Sequence, residues 1–80
     1  MEPAKIMVVE DEGIIAQDIK NCLENLGYVV PEVVYTGKEA IEKAESVRPD
    51  LVLMDIVLKG EMDGIETAAE IRDRFSIPIV

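Results

Sequence analysis

Apolar residues form two alternating patterns along this chain. Short runs rich in apolar residues predict strands at 5–9, 28–35, 51–55 and 77–80. Between these runs, apolar residues recur three and four positions apart, which predicts amphipathic helices with one face on a sheet. The order predicts an α/β fold in which parallel strands are joined by right-handed crossover helices.

Each predicted helix carries an apolar stripe that should face the sheet. Thr36 and Glu39 have the spacing of a capping box at the start of the second helix, which should stop before Pro49. The third helix should run from about Asp63, its predicted N-cap, to Phe75. The predicted inward residues are Ile15, Ile19, Cys22, Leu23 and Leu26 in the first helix, Ala40, Ile41, Ala44 and Val47 in the second, and Ile65, Ala68, Ala69, Ile71 and Phe75 in the third.

Two of the predicted strands have features that indicate their place in the sheet. Pro31 lies within 28–35 and has no N–H to donate, so that strand should lie at an edge. The run at 51–55 is apolar up to its last residue, Asp55, and a polar loop follows it. This pattern predicts a central strand that is buried on both faces and has Asp55 at its carboxyl end, the edge where ligands of such sheets gather.

Composition and charge narrow the possible functions. The formal net charge is −9, and no basic patch exists to release counterions from a nucleic acid backbone. The absence of His excludes Ser–His and Cys–His catalysis within the chain and His-based zinc sites. Cys22 is the single cysteine and is predicted to lie in the core. No membrane helix or signal peptide is evident, so the pattern predicts a soluble cytoplasmic protein without a membrane partner.

Acidic residues directly follow or end two of the predicted strands. Glu10 and Asp11 come after the first strand, and Asp55 ends the third. If these strands are neighbours, their ends lie about 5 Å apart and the carboxylates converge. Oxygen ligands without His or Cys favour Mg²⁺, Mn²⁺ or Ca²⁺ over zinc, and a small cleft with few carboxylates suits Mg²⁺. An Asp beside Mg²⁺ can attack phosphorus. For Glu10 and Asp11, a second interpretation is equally open, because acids are also favoured at helix N-termini.

Four motifs resemble, in order, the receiver domain of two-component response regulators. They are VVEDE at 8–12, LVLMD at 51–55, MDGIETA at 62–68 and SIPIV at 76–80. The resemblance implies a flavodoxin-like, doubly wound parallel sheet with strand order 2-1-3-4-5, here truncated to about four strands and three helices. Residues 1–80 would be the N-terminal part of this domain, with the last strand and the two last helices missing.

The same resemblance implies the chemistry. Asp55 would accept a phosphoryl group from a phosphohistidine on a sensor histidine kinase or phosphotransfer protein. Mg²⁺ would be held by Asp11, by Asp55, by the backbone carbonyl of Val57, and by Glu10 mainly through bound water. The chain would be the phosphoryl-accepting module of a phosphorelay and not an enzyme.

The chain departs from the family pattern in its loops and at its end. Lys59 stands where many receiver domains have Pro, and the loop around it is one residue longer than the common form. The Ser or Thr and the Lys that contact the phosphoryl group in the family would lie beyond Val80. We therefore expect weak phosphorylation, impaired output, and homo-oligomers formed through exposed sheet surface.

Two other functions stay open at this point. The chain could be an inactive folded fragment that self-associates. It could also be a Mg²⁺-dependent phosphatase-like enzyme or a nucleic-acid strand-cleaving domain. Such enzymes commonly have an acid two residues after the strand-end Asp, and the residue at that position here is Val57.

Overall fold

The computed structural model describes residues 3–54 and 64–80, and in these ranges strands and helices alternate as the sequence predicts. The elements are β1 (Ile6–Val9), α1 (Gly13–Asn25), β2 (Val33–Val34), α2 (Gly37–Val47), β3 (Leu51–Met54) and α3 (Gly64–Phe75). The strands pair in parallel in the order β2-β1-β3. No helix in the described ranges is long and apolar enough to cross a membrane.

Residues 77–80, here called the fourth-strand segment, lie beside β3. A parallel bridge joins Ile79 to Val52. The Val52 N–H donates to the carbonyl of Pro78 at 3.0 Å, and the Val80 N–H donates to the carbonyl of Val52 at 2.9 Å. The strands and the fourth-strand segment therefore lie in the order 2-1-3-4, as predicted for a flavodoxin-like fold.

The core lies on both faces of β1, whose residues are all buried. Met7 and Val9 point to the face covered by α2 and α3, while Val8 alternates to the other face, where Ala16 of α1 is fully buried. The main cluster consists of Met7, Val9, Val34, Ala40, Ala44, Val52, Ile71 and Ile77. Within the described residues, β1 is thus the fully buried central strand.

The prediction that the third strand is buried on both faces is wrong for the described residues of β3. Val52 is fully buried, but Leu51, Leu53 and Met54 are half-buried. Leu51 and Leu53 alternate away from the α2–α3 cluster. In the part of the chain that the structure describes, α1 covers that opposite face, and it packs on β1 rather than on β3.

β2 lies at the edge of the described sheet, as Pro31 predicts. Lys5 pairs with Val29, whereas Val8 pairs with Val33. The offset between the two strands therefore increases by one residue across Pro31, which is the signature of a β-bulge. The bulge accommodates the missing N–H of proline, and regular pairing is limited to Val33–Val34, a shorter stretch than the predicted 28–35.

α2 begins with the predicted capping box. The Thr36 Oγ1 accepts a hydrogen bond from the Glu39 N–H at 3.2 Å, and the hydroxyl donates to Glu39 Oε1 at 3.3 Å. The C-cap is Arg48, whose φ of 52° is left-handed, and Pro49 follows it directly. The predicted start and stop of this helix are confirmed.

Replacing Thr36 with alanine should lower the free energy of unfolding by about 0.5–2 kcal/mol, because the Glu39 N–H loses its acceptor. Urea denaturation followed by circular dichroism measures this change. Thr36→Ser keeps the hydroxyl and should stay close to the parent protein. Equal destabilisation by both substitutions would show that the hydroxyl is not the stabilising group.

α1 is rotated relative to its predicted stripe. Ile15 is 46% exposed and Leu26 is 74% exposed. Cys22 is also exposed. The prediction that these residues face the sheet is therefore wrong, and so is the assignment of Cys22 to the core.

The row of α1 that meets the sheet runs through Ala16, which is fully buried. Ile19 and Leu23 follow it three and seven positions later and are half-buried. The small side chain of Ala16 lets the helix backbone come close to β1 along this row. Residues on the neighbouring row are consequently turned outward.

The structure confirms part of the buried stripe predicted for α3 and contradicts the rest. Ile71 is fully buried, but Ile65 is 67% exposed, so its predicted burial is wrong. The half-buried members of the stripe are Ala68, Ala69 and Phe75. Thr67 was not a predicted core residue because it is polar, yet it is fully buried. The buried face follows Gly64, Thr67 and Ile71, since α3 packs sideways against α2 as well as on the sheet.

Candidate functional site

The candidate site lies where the chain leaves β1 and β3. Val9 at the end of β1 pairs with Met54 at the end of β3. Glu10 follows Val9 in the sequence, and Asp55 follows Met54. Paired parallel strands lie about 4.8 Å apart, so the two chain exits are adjacent at the carboxyl edge of the sheet. The expectation that the first and third strands are neighbours is confirmed.

Several predicted site residues lie outside the described residues. These are the acceptor Asp55, the carbonyl donor Val57, the loop residue Lys59 and the N-cap Asp63. Their roles stay predictions. The described half of the site consists of Glu10 and Asp11, which follow β1, together with the strand ends that position them.

Glu10 is a buried carboxylate, with 8% of its surface exposed. Its Oε1 accepts a hydrogen bond from the Glu12 N–H at 3.2 Å. Its own N–H donates to the carbonyl of Val34 at 3.0 Å. These bonds fix the end of β1 against both α1 and β2. A buried charge is costly without hydrogen bonds or a compensating cation, so this acid does more than keep the domain soluble.

Side-chain capping does not account for the acids that precede α1. Glu12 is the N-cap of α1, but its side chain makes no capping hydrogen bond, and the first turn of α1 has no acidic residue. Asp11 is half-buried and Glu12 is exposed. A helix N-terminus favours acids through its dipole whether or not a ligand is present. Both interpretations therefore stay open for Asp11.

The described residues alone do not complete a metal site. Within 3–54 and 64–80, no three His, Cys, Asp or Glu side chains are grouped so that they could hold a metal ion. The predicted ligands are Glu10, Asp11, Asp55 and the Val57 carbonyl, and the last two lie outside these ranges. The structure thus places two of the four predicted ligands at one edge of the sheet.

An apolar groove next to this edge was not predicted. It has a volume of about 340 Å³ and lies between α3 and the fourth-strand segment. Its apolar lining comes from Met54, Ile65, Ala68, Ala69, Ile79 and Val80. The helical spacing of the α3 residues predicts an inward stripe. Spacing does not show whether another element covers that stripe, so the groove could not be found from the sequence.

A family model and two curated relatives match the sequence of this chain. The family model for the response regulator receiver domain matches residues 6–80. The chain is 38% identical over 78 residues to the transcriptional regulatory protein PdtaR of Mycobacterium tuberculosis, covering 98% of the chain and 38% of PdtaR. It is 36% identical over 77 residues to the phyllosphere-induced regulator PhyR of Methylorubrum extorquens, covering 95% of the chain and 29% of PhyR. The chain thus spans well under half the length of these relatives.

Solved structures give the same result. The signal receiver domain of a modulated diguanylate cyclase from Desulfovibrio desulfuricans G20 superimposes with a TM-score of 0.92 at 40% identity, covering 96% of this chain and 62% of that one. PhyR of Bartonella quintana, solved in complex with the anti-sigma factor NepR, superimposes with a TM-score of 0.88 at 35% identity. The match covers 96% of this chain and 32% of the PhyR chain.

The family match and the described structure cover the same strands and helices. The match over residues 6–80 takes in every described strand and helix. The parallel β2-β1-β3 sheet brings the two acid-bearing strand ends together, as the motifs VVEDE and LVLMD require. This chain therefore belongs to the response regulator receiver domain family.

Proposed function

We propose that this chain is a phosphoryl-accepting receiver module and that Asp55 takes the phosphoryl group. The observation that carries the proposal is the register of β1 and β3. It sets Val9 beside Met54, so the acids that follow them in the sequence leave adjacent strands. Membership of the receiver domain family supports a role in two-component signalling.

In the proposed reaction, an Asp55 carboxylate oxygen attacks the phosphorus atom of a phosphohistidine in line with the P–N bond. The O–P bond forms as the P–N bond breaks, and the imidazole leaves with the electron pair of that bond. The products are an aspartyl phosphate on this chain and a dephosphorylated histidine on the partner. The chain receives a group in this step and turns over no small substrate, so the proposal does not make it an enzyme.

Mg²⁺ fits the donor set proposed at this edge. The donors are oxygens, the chain contains no His, and its single cysteine lies on α1. The buried carboxylate of Glu10 supports the assignment, because such a charge is stabilised by a nearby cation. Asp11, Asp55 and the Val57 carbonyl would hold the ion directly, and Glu10 mainly through water. When bound, Mg²⁺ would neutralise charge on the phosphoryl oxygens.

The proposed partner is a sensor histidine kinase or a phosphotransfer protein, met in the cytoplasm. The net charge of −9 argues against contact between this domain and nucleic acid. Among the relatives, PhyR of Bartonella quintana has been solved with the anti-sigma factor NepR. That complex is an observation on PhyR. For this chain it supports only the general proposal that the partner is a protein.

An inactive fragment that self-associates is the second candidate. Large apolar side chains are exposed, among them Ile14 at 83%, Leu26 at 74% and Val80 at 70%. The chain corresponds to 62% of a solved receiver domain chain. In this case we propose that the chain forms homo-oligomers through these exposed apolar side chains. A phosphatase-like activity gains no support, because Val57 occupies the position of the second acid.

Incubation with Mg²⁺ and acetyl phosphate should add the mass of one phosphoryl group to the chain. The increment should be lost on treatment with hydroxylamine, which cleaves acyl phosphates. Asp55→Asn should abolish incorporation, because it removes the attacking oxygen's charge. Intact-protein mass spectrometry measures both results.

The matched control for this experiment is Asp18→Asn, which alters an exposed acid on α1 and should leave incorporation unchanged. A folded parent chain that takes up no phosphoryl group would favour the inactive fragment. Equal incorporation by Asp55→Asn would refute the assignment of the acceptor. Steady hydrolysis of a phosphate ester would favour an enzyme.

A further inference from the structure

Asp11 lies in a short connection between the sheet and α1, and both ends of this connection are fixed. On the sheet side, the Glu10 N–H donates to the carbonyl of Val34 at 3.0 Å, which extends the pairing of β1 with β2 by one residue. On the helix side, the Ala16 N–H donates to the carbonyl of Glu12 at 2.8 Å. Asp11 is therefore the residue at which the backbone passes from the sheet to the helix.

The side chain of Glu10 ties the two ends of this connection together. Its Oε1 accepts a hydrogen bond from the Glu12 N–H at 3.2 Å, so the carboxylate reaches along the backbone past Asp11. Glu10 is buried, so little water competes for this bond. An N–H donor to a carboxylate also makes one of the stronger hydrogen bonds of a protein. The bond therefore restricts the backbone of Asp11 from both sides.

This bond differs from the usual side-chain capping of a helix. In the usual arrangement, the N-cap side chain accepts a hydrogen bond from the second or third N–H of the helix. Glu12 is the N-cap of α1, and its side chain makes no capping bond. The Glu10 carboxylate instead binds the N–H of the N-cap residue itself, from the strand side. The bond thus fixes the path by which the chain enters α1.

We infer that Glu10 is a positioning residue for Asp11. The inference rests on the function proposed above, in which the Asp11 carboxylate binds Mg²⁺ directly. Mg²⁺ requires near-ideal octahedral geometry, so its affinity depends on how its ligands are oriented by the groups around them. By holding the backbone of Asp11, the Glu10 side chain orients that ligand before the ion binds. This role is additional to the proposed contact of Glu10 with the ion through water.

Two substitutions separate the hydrogen bond of Glu10 from its charge. Glu10→Gln keeps an acceptor oxygen and loses the charge, whereas Glu10→Met has a similar length but neither the charge nor a comparable acceptor. In the metal-free chain, NMR relaxation should show Asp11 ordered, and amide exchange should show the Glu12 N–H protected, in the parent and in Glu10→Gln. Glu10→Met should lose both. Isothermal titration calorimetry should then give an Mg²⁺ affinity about tenfold lower for Glu10→Met than for Glu10→Gln.

Glu12 provides the matched control for this pair of substitutions. It is exposed, its side chain makes no capping bond, and only its backbone N–H takes part in the bond with Glu10. Glu12→Gln and Glu12→Met should therefore bind Mg²⁺ with equal affinity. Circular dichroism confirms that each variant is folded.

Two results would overturn this inference and leave the proposed function in place. If Asp11 stays ordered in Glu10→Met, the hydrogen bond does not position it, and any loss of Mg²⁺ affinity arises through bound water. If Asp11 loses its order while Glu10→Met binds Mg²⁺ as tightly as Glu10→Gln, the bond serves the fold alone. A parent chain that binds no Mg²⁺ would instead overturn the proposed metal site, and this inference with it.

Discussion

Replacing Ile71 with alanine should lower the free energy of unfolding by about 2–5 kcal/mol. Ile71 is fully buried in the cluster that joins α3 to β1 and α2. The substitution removes apolar contacts and leaves a cavity that the surrounding side chains fill only in part. The free energy of unfolding of most domains is about 5–15 kcal/mol, and a chain of this size lies at the low end of that range. A large fraction of the Ile71→Ala protein should therefore be unfolded at 25 °C.

Ile65 provides the matched control in the same helix. Its side chain is 67% exposed, so Ile65→Ala should change the free energy of unfolding by no more than about 0.5 kcal/mol. Both variants are compared by urea denaturation at a concentration low enough to keep the chain monomeric. Similar losses for the two substitutions would show that α3 is rotated from the orientation described here.

Replacing Asp11 with asparagine should weaken Mg²⁺ binding more than the loss of a group that contacts the ion only through water. Such a loss lowers the affinity by about 10–100-fold. The proposed site places the Asp11 carboxylate directly on the ion, and the substitution removes a full negative charge. Glu10→Gln should have the smaller effect, about 10–100-fold, because Glu10 acts mainly through water. Isothermal titration calorimetry measures both affinities.

Asp18→Asn is the control for Mg²⁺ binding, because Asp18 is an exposed acid within α1 and is not one of the proposed ligands. It removes one negative charge, as Asp11→Asn does. If both substitutions weaken binding equally, the ion is attracted by the overall charge of −9 and is not ligated. If Glu10→Gln abolishes binding while Asp11→Asn does not, the two acids have been assigned the wrong roles.

Local rules explain why the order and bounds of the elements could be predicted. The capping box at Thr36 and the stop before Pro49 depend on interactions within a few residues, so the sequence contains all the information needed. Pro31 excludes its strand from the sheet centre for a reason that is equally local, the missing N–H. The bulge that accommodates Pro31 depends on the pairing of β1 with β2, and the sequence pattern does not predict it.

Helix orientation could be predicted only in part. Spacing alone places Ile15, Cys22 and Leu26 on one stripe of α1, and it places Ile65 with Ile71 on α3. Which row of a helix meets the sheet depends on how closely the backbone can approach and on what the neighbouring helices cover. Ala16 decides this for α1, and packing against α2 decides it for α3, so Cys22 and Ile65 lie outside the core.

For the candidate site, the sequence by itself determined the residue types: acids after the first strand, Asp55 after the third, and no His or Cys beside them. It also determined the alternation that makes the sheet parallel, since side-chain periodicity is a property of the local backbone. The tertiary structure decided that β1 and β3 are neighbours and end level, which brings Glu10 to the exit of β3. It also decided that an apolar groove lies between α3 and the fourth-strand segment. Both depend on contacts between residues far apart in the chain, and no local pattern specifies them.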